Sequence, residues 1–185
     1  MSFILCNNNS IKLNFILYVF EYKKKLDFKN EFLDMKELWN NMIRSIITIP
    51  GRGCNNSFVF WDIDFLKEKD SYKVLFENTE DGYNEFSNVW DKYINWWYDE
   101  GLSMFDKKAE EVIPIIYDLV MNRLVAEKLE PPSDTFAIQI MFDKIPNGWL
   151  SSGTLCTIES INNFSDKYKV NEVCERLYRL ILSKY

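Results

Sequence analysis

Between Tyr83 and Lys128 apolar residues recur every three or four positions, and no other feature limits this chain's folding options as firmly. Phe86, Val89, Trp90, Tyr93, Ile94 and Trp97 fall along one side of a helical projection, with Asn88, Asp91, Asn95 and Asp99 opposite. After Gly101 the pattern resumes from Phe105, with Ala109, Val112, Ile113, Ile116, Leu119, Val120 and Leu124 along one face. The spacing predicts two helices, about 83–98 and 105–128, with Gly101 ending the first. Pro114 lacks a backbone donor and is expected to kink or split the second.

Around this pair the remaining segments read as mixed structure. Ile11–Tyr22 is rich in aromatic and branched residues on both phases, which suits a strand buried on two faces. Phe28, Phe32, Met35, Trp39, Met42, Ile43 and Ile46 keep helical spacing between an N-cap at Asp27 and the Pro50-Gly51 break. FVFWDIDF and YKVLFE, joined by KEKDS, read as a hairpin. So do TFAIQIMF and TLCTIES, joined through a turn at Asn147-Gly148. Val170, Val173, Cys174, Leu177, Tyr178 and Ile181 close the chain as a helical stripe. The expected order is β-α-β-β-α-α-β-β-α, an α+β fold with a largely antiparallel sheet and helices packed against it. With no linker and no internal repeat, residues 1–185 are expected to form a single globular domain.

Chemistry is scarce. The chain has no histidine, which removes Ser-His-Asp and Cys-His catalysis, the usual base near neutral pH and the commonest zinc ligand. Cys6, Cys54, Cys156 and Cys174 form no C-x-x-C pair and are expected to be free thiols in a reducing compartment. Asp62-Ile63-Asp64 could hold Mg²⁺ if both carboxylates shared a strand face, making a Mg²⁺-dependent enzyme one alternative. The motif is short and common by chance. Gly51-Arg52-Gly53 is followed by no Walker lysine and is best taken as a helix-ending loop. Nothing calls for a cofactor. The apolar run FILYVF is too short to span a bilayer and no signal-peptide pattern precedes it, so a cytoplasmic location is expected.

Charge is unevenly placed. The total is −6, yet residues 62–134 carry eighteen acidic against eight basic groups, while the two flanks are weakly positive. Such a middle repels nucleic acid and membrane surfaces and attracts basic partners. On the aromatic helix Trp90 and Trp97 are expected in the core, while Trp96 and Tyr98 occupy the shoulders of the apolar stripe. An amphipathic aromatic beside carboxylates is the combination that interface anchors favour. The candidate partner-binding residues are therefore Trp96, Tyr98, Asp99, Glu100, Asp91, Glu80, Asp81 and Glu85.

The sequence thus points to a non-catalytic module that binds a basic protein. Its general character is similar to that of immunity proteins, which neutralise a cognate bacterial toxin domain. No family motif carries that likeness. A structural or regulatory subunit, phage-derived or otherwise, whose acidity serves solubility alone, is the second alternative.

Overall fold

The computed structural model describes residues 3–26, 32–45 and 64–185. Its elements are β1 (Ile4–Asn8), α1 (Ile11–Lys25), α2 (Phe32–Ser45), α3 (Glu80–Trp96), α4 (Leu102–Ala126), β2 (Thr135–Met141), β3 (Cys156–Ser160) and α5 (Lys167–Leu182). A 3-10 turn spans Lys69–Leu75, a π turn Trp97–Gly101, and a second 3-10 turn Ile161–Phe164. Among the described residues the fold is α+β, and helices dominate.

The segment 11–22 is helix, not strand. Ser10 caps it, accepting a hydrogen bond from the Leu13 amide at 3.1 Å, and Lys23, Lys24 and Lys25 fill its last turn, where cations suit the helix dipole. Residues 11–17 are all buried, Lys12 through an ion pair to Glu68 at 2.6 Å. A helix enclosed on every side shows no apolar period, so it reads like a doubly buried strand. The strand of this region is instead Ile4–Asn8, just upstream.

The sheet is parallel, not antiparallel. β2 lies in the centre, with Leu5 against Phe136 on one side and Gln139 against Ile158 on the other. Gly148 has a positive φ of 80°, as an Asn-Gly turn requires. The connection from β2 to β3 nevertheless continues beyond that turn and lets β3 start again in the direction of β2. Among the described residues antiparallel pairing survives only as one bridge, Ser152 with Thr157. Central β2 is buried along nearly its whole length on both faces, as parallel strands usually are.

The predicted hairpin near residue 70 is also corrected. Tyr72–Leu75 belongs to the 3-10 turn, and Asp64–Glu68 is a turn rather than the end of a strand. The rest of FVFWDIDF, the Asp27 cap, Pro50-Gly51, Gly51-Arg52-Gly53 and Cys54 lie outside the described residues. Where described, the helix predicted between Asp27 and Pro50-Gly51 matches α2, and the C-terminal stripe matches α5, capped by Asp166.

Nor does Gly101 end a helix. Trp96, Trp97, Gly101 and Leu102 all keep right-handed helical dihedrals, so α3, the π turn and α4 form one run from Glu80 to Ala126. Pro114 does not split it. The run is the spine of the molecule. Its first half packs on α1, where Phe15 meets Trp90 at 5.0 Å and Tyr93 at 5.1 Å between ring centroids. Its second half packs against β1 and α5. Phe65 stacks on Trp90 at 4.6 Å, and the buried Tyr93 hydroxyl donates to the Ile11 carbonyl at 2.7 Å. Each such aromatic pair contributes about 0.5–1.5 kcal/mol beyond the area it buries.

Cysteine usage also departs from expectation. Cys156 and Cys174 are free, and burial pushes both thiols up to about 11. Cys6 is disulfide-bonded.

Candidate functional site

The spine's outer face carries the candidate site, and the π turn decides which of its residues point outward. An ideal helix turns about 100° per residue, so a buried seam spaced by four drifts about 40° at each step. Tyr93, Trp97, Gly101, Phe105 and Ala109 follow that spacing and are all buried. The wider π turn takes up drift in the middle of the seam, keeping those five residues inward and leaving Tyr98, Asp99 and Glu100 on the surface.

Tyr98 is 57% exposed, among the most open large side chains of the spine. One turn apart along the same ridge follow Leu102, Asp106 and Glu110, which with Ser103 and Lys107 line a shallow groove beside the Tyr98 ring. Leu102 is also exposed. Asp106 is held in place because its Oδ1 accepts from Asn9 Nδ2 at 2.8 Å, tying the groove to the turn between β1 and α1. These groove residues were absent from the sequence reading. Their signal was the four-residue spacing from Tyr98, hidden by the assumption that the helix stopped at Gly101.

Trp96 behaves otherwise. It is half-buried, stacks on Tyr18 at 6.2 Å, and meets Phe142 edge-on at 5.6 Å and Phe105 at 6.3 Å. Its ring also covers Gly101, where an added Cβ would lie 3.2 Å from it. A glycine inside this run therefore serves close packing, not termination.

The carboxylates divide into groups. Asp99 and Glu100 are exposed beside Tyr98. Asp91, exposed, lies 3.6 Å from the Lys69 ammonium. Glu80 and Asp81 are exposed in the first turn of α3, where they favour the helix dipole. At 1.5 Å per residue they lie about 27 Å along the axis from Tyr98. Glu85 faces α1 instead: burial, and then a hydrogen bond to Glu85, raise the Tyr22 hydroxyl, while burial lowers the Lys23 ammonium against the pull of Glu85 and Glu77. The eight candidates thus do not form one patch. Tyr98, Asp99 and Glu100 stay together and gain Leu102, Asp106 and Glu110.

The other candidate is half visible. Asp64 is exposed on a turn, and the Lys67 ammonium, 2.8 Å away, lowers its carboxyl below the ordinary range; Asp62 lies outside the described residues. Among the described residues no group of three or more Cys, Asp or Glu is placed to hold a metal ion. No described helix is long and apolar enough to cross a membrane.

No family model matches the chain, and no curated protein or solved structure matches it.

Proposed function

We propose that this protein is a non-catalytic binding module that captures a basic protein on the outer face of its spine, centred on Tyr98. In its most concrete form it is an immunity protein that neutralises a basic toxin domain. The observation that supports the reading is the exposed Tyr98 ring, flanked by Asp99 and Glu100 and continued by the Leu102–Asp106–Glu110 ridge.

The physics of capture fits such a face. From Glu80 to Asp118 the run carries ten carboxylates against three lysines. A field of one sign speeds the approach of a cationic partner, and a rigid aromatic anchor slows its release. A tyrosine spends little side-chain entropy on docking and offers both a face for a cation and a hydroxyl for a hydrogen bond.

The test is to titrate a basic protein domain, taken from a neighbouring gene where one encodes it, against the full chain at low salt. Sub-micromolar binding is expected, weakened by at least about tenfold in Tyr98→Ala, as for a central interface anchor. Trp96→Ala serves as the contrasting variant, because its ring packs on five others and its loss should lower stability. Absence of binding at low salt, or binding indifferent to Tyr98→Ala, overturns the reading.

A further inference from the structure

A second concave surface lies at the C-terminal end of β3. There the sheet, the connector after β2 and the first turns of α5 enclose a crevice of about 570 Å³. Crevices at the carboxyl ends of parallel strands are where α/β sheets commonly hold small ligands.

Its floor holds a charge pair of unusual depth for this protein. Glu159 is 1% exposed, its Oε1 accepting from Arg176 Nε at 2.8 Å and its Oε2 from Arg176 Nη2 at 2.6 Å. Asn163 Nδ2 donates to the same Oε2 at 2.8 Å. A buried ion pair is not by itself an efficient stabiliser, since apolar residues of similar volume usually do as well. What this one does is fix a guanidinium. Arg176 spends one edge of its planar fork on Glu159, and its Nη1 edge has no partner among the described residues. That side chain is 42% exposed and lines the crevice.

Two lysines complete the lining. Lys144 is exposed, and its ammonium has no ion-pair partner among the described residues. Lys169 contacts only neutral oxygens closely, Ser165 Oγ at 3.2 Å and Asn162 O at 3.4 Å, with Asp166 at 4.0 Å. Against them among the lining residues stands, besides Glu159, the carboxylate of Glu172, which also attracts the Arg176 guanidinium and helps hold its charge. The crevice is therefore net positive in a chain of net charge −6. The capping amide of α5 does not contribute, because Asp166 already takes the Lys169 N–H at 3.0 Å. The cations alone make the site.

We propose that this crevice binds a small molecule bearing a phosphoryl or carboxylate group, received by the free edge of Arg176 and by the ammonium groups of Lys144 and Lys169. A fixed guanidinium edge offers two parallel donors to such a group, and flanking ammonium groups supply the charge that a dianion needs. This site is independent of the Tyr98 face and stands or falls without it.

The experiment uses the full chain with inorganic phosphate as probe, at constant ionic strength against a chloride control. Binding is followed by thermal unfolding and by ³¹P line broadening. A saturable rise in melting temperature is expected, with affinity falling by roughly five- to tenfold in the double variant Lys144→Ala/Lys169→Ala. Arg176→Lys, which keeps the charge and loses the fork, should also weaken it, while Lys107→Ala on the spine should not. Citrate in place of phosphate separates the two ligand classes, and tighter saturable binding of citrate with the same variant pattern assigns a carboxylate ligand. No saturable response to either probe overturns the proposal. So does a response equal in the wild type and all variants, which marks an adventitious ion only.

Discussion

At the scale of single residues the two described helical glycines differ in what they permit. A Cβ on Gly82 would lie 2.2 Å from the Glu77 carbonyl oxygen, a backbone atom that cannot turn aside. Gly82→Ala is therefore expected to cost about 3 kcal/mol despite alanine's better helix propensity. The check is a lower urea midpoint with an unchanged slope; a stability at or above wild type would refute the packing argument. Gly101 faces only a ring edge, which has some freedom to move. The thiols give a second prediction. With Cys156 and Cys174 pushed up to about 11 by burial, roughly one thiol in a thousand is thiolate at pH 8. Iodoacetamide should then label native protein far more slowly than urea-unfolded protein, and equal rates would contradict that environment. Much at this scale was legible: Trp90, Tyr93 and Trp97 are buried as their spacing predicts, and Tyr98 is exposed. Trp96 was ambiguous on the projection. What settles its half-buried place is the contact with Tyr18 and Phe142, two residues far away in sequence.

At the scale of elements, periodicity found the amphipathic pieces and failed on the enclosed or bulged ones. α2, α3 and α5 have one wet face each, and their stripes were readable. α1 has almost none, so its Ser10 cap and terminal lysines were the only local signs of a helix. The spine was cut at Gly101 because glycine usually ends helices, whereas here the neighbouring Trp96 ring occupies the space a side chain would take. Pro114 shows the same tension. It sits inside α4 on an exposed position, where its missing N–H and its ring both disfavour the helix. Tertiary packing on either side, through Val112 and Ile116, holds the run together regardless. Pro114→Ala should restore the donor without touching the core and raise stability by about 1–3 kcal/mol, read from the shift in urea midpoint. A destabilised variant would mean that the proline shapes α4 in a way its neighbours depend on.

At the scale of the whole molecule, strand direction was beyond the reach of local pattern. TFAIQIMF and TLCTIES flank a turn and look like a hairpin; only the length of chain consumed between them, and where it runs, makes them parallel. Charge placement needs no such three-dimensional knowledge, and it supports the last prediction. The Tyr98 face carries its carboxylates in water, where attraction to a basic partner acts over about one Debye length, near 10 Å at 0.1 M salt. That attraction speeds the encounter more than it holds the docked complex. Raising salt from about 50 to about 500 mM should therefore slow association with the basic domain by at least about tenfold, leaving dissociation nearly constant. Asp99→Asn/Glu100→Gln should flatten that salt dependence, whereas Glu80→Gln/Asp81→Asn, about 27 Å away along the spine, should flatten it less. Tyr98→Ala should do the opposite, speeding dissociation with little change in association. Stopped-flow measurement of both rates for these variants separates steering from anchoring. A salt effect confined to dissociation, or equal effects of the two carboxylate pairs, would move the binding surface away from the π turn.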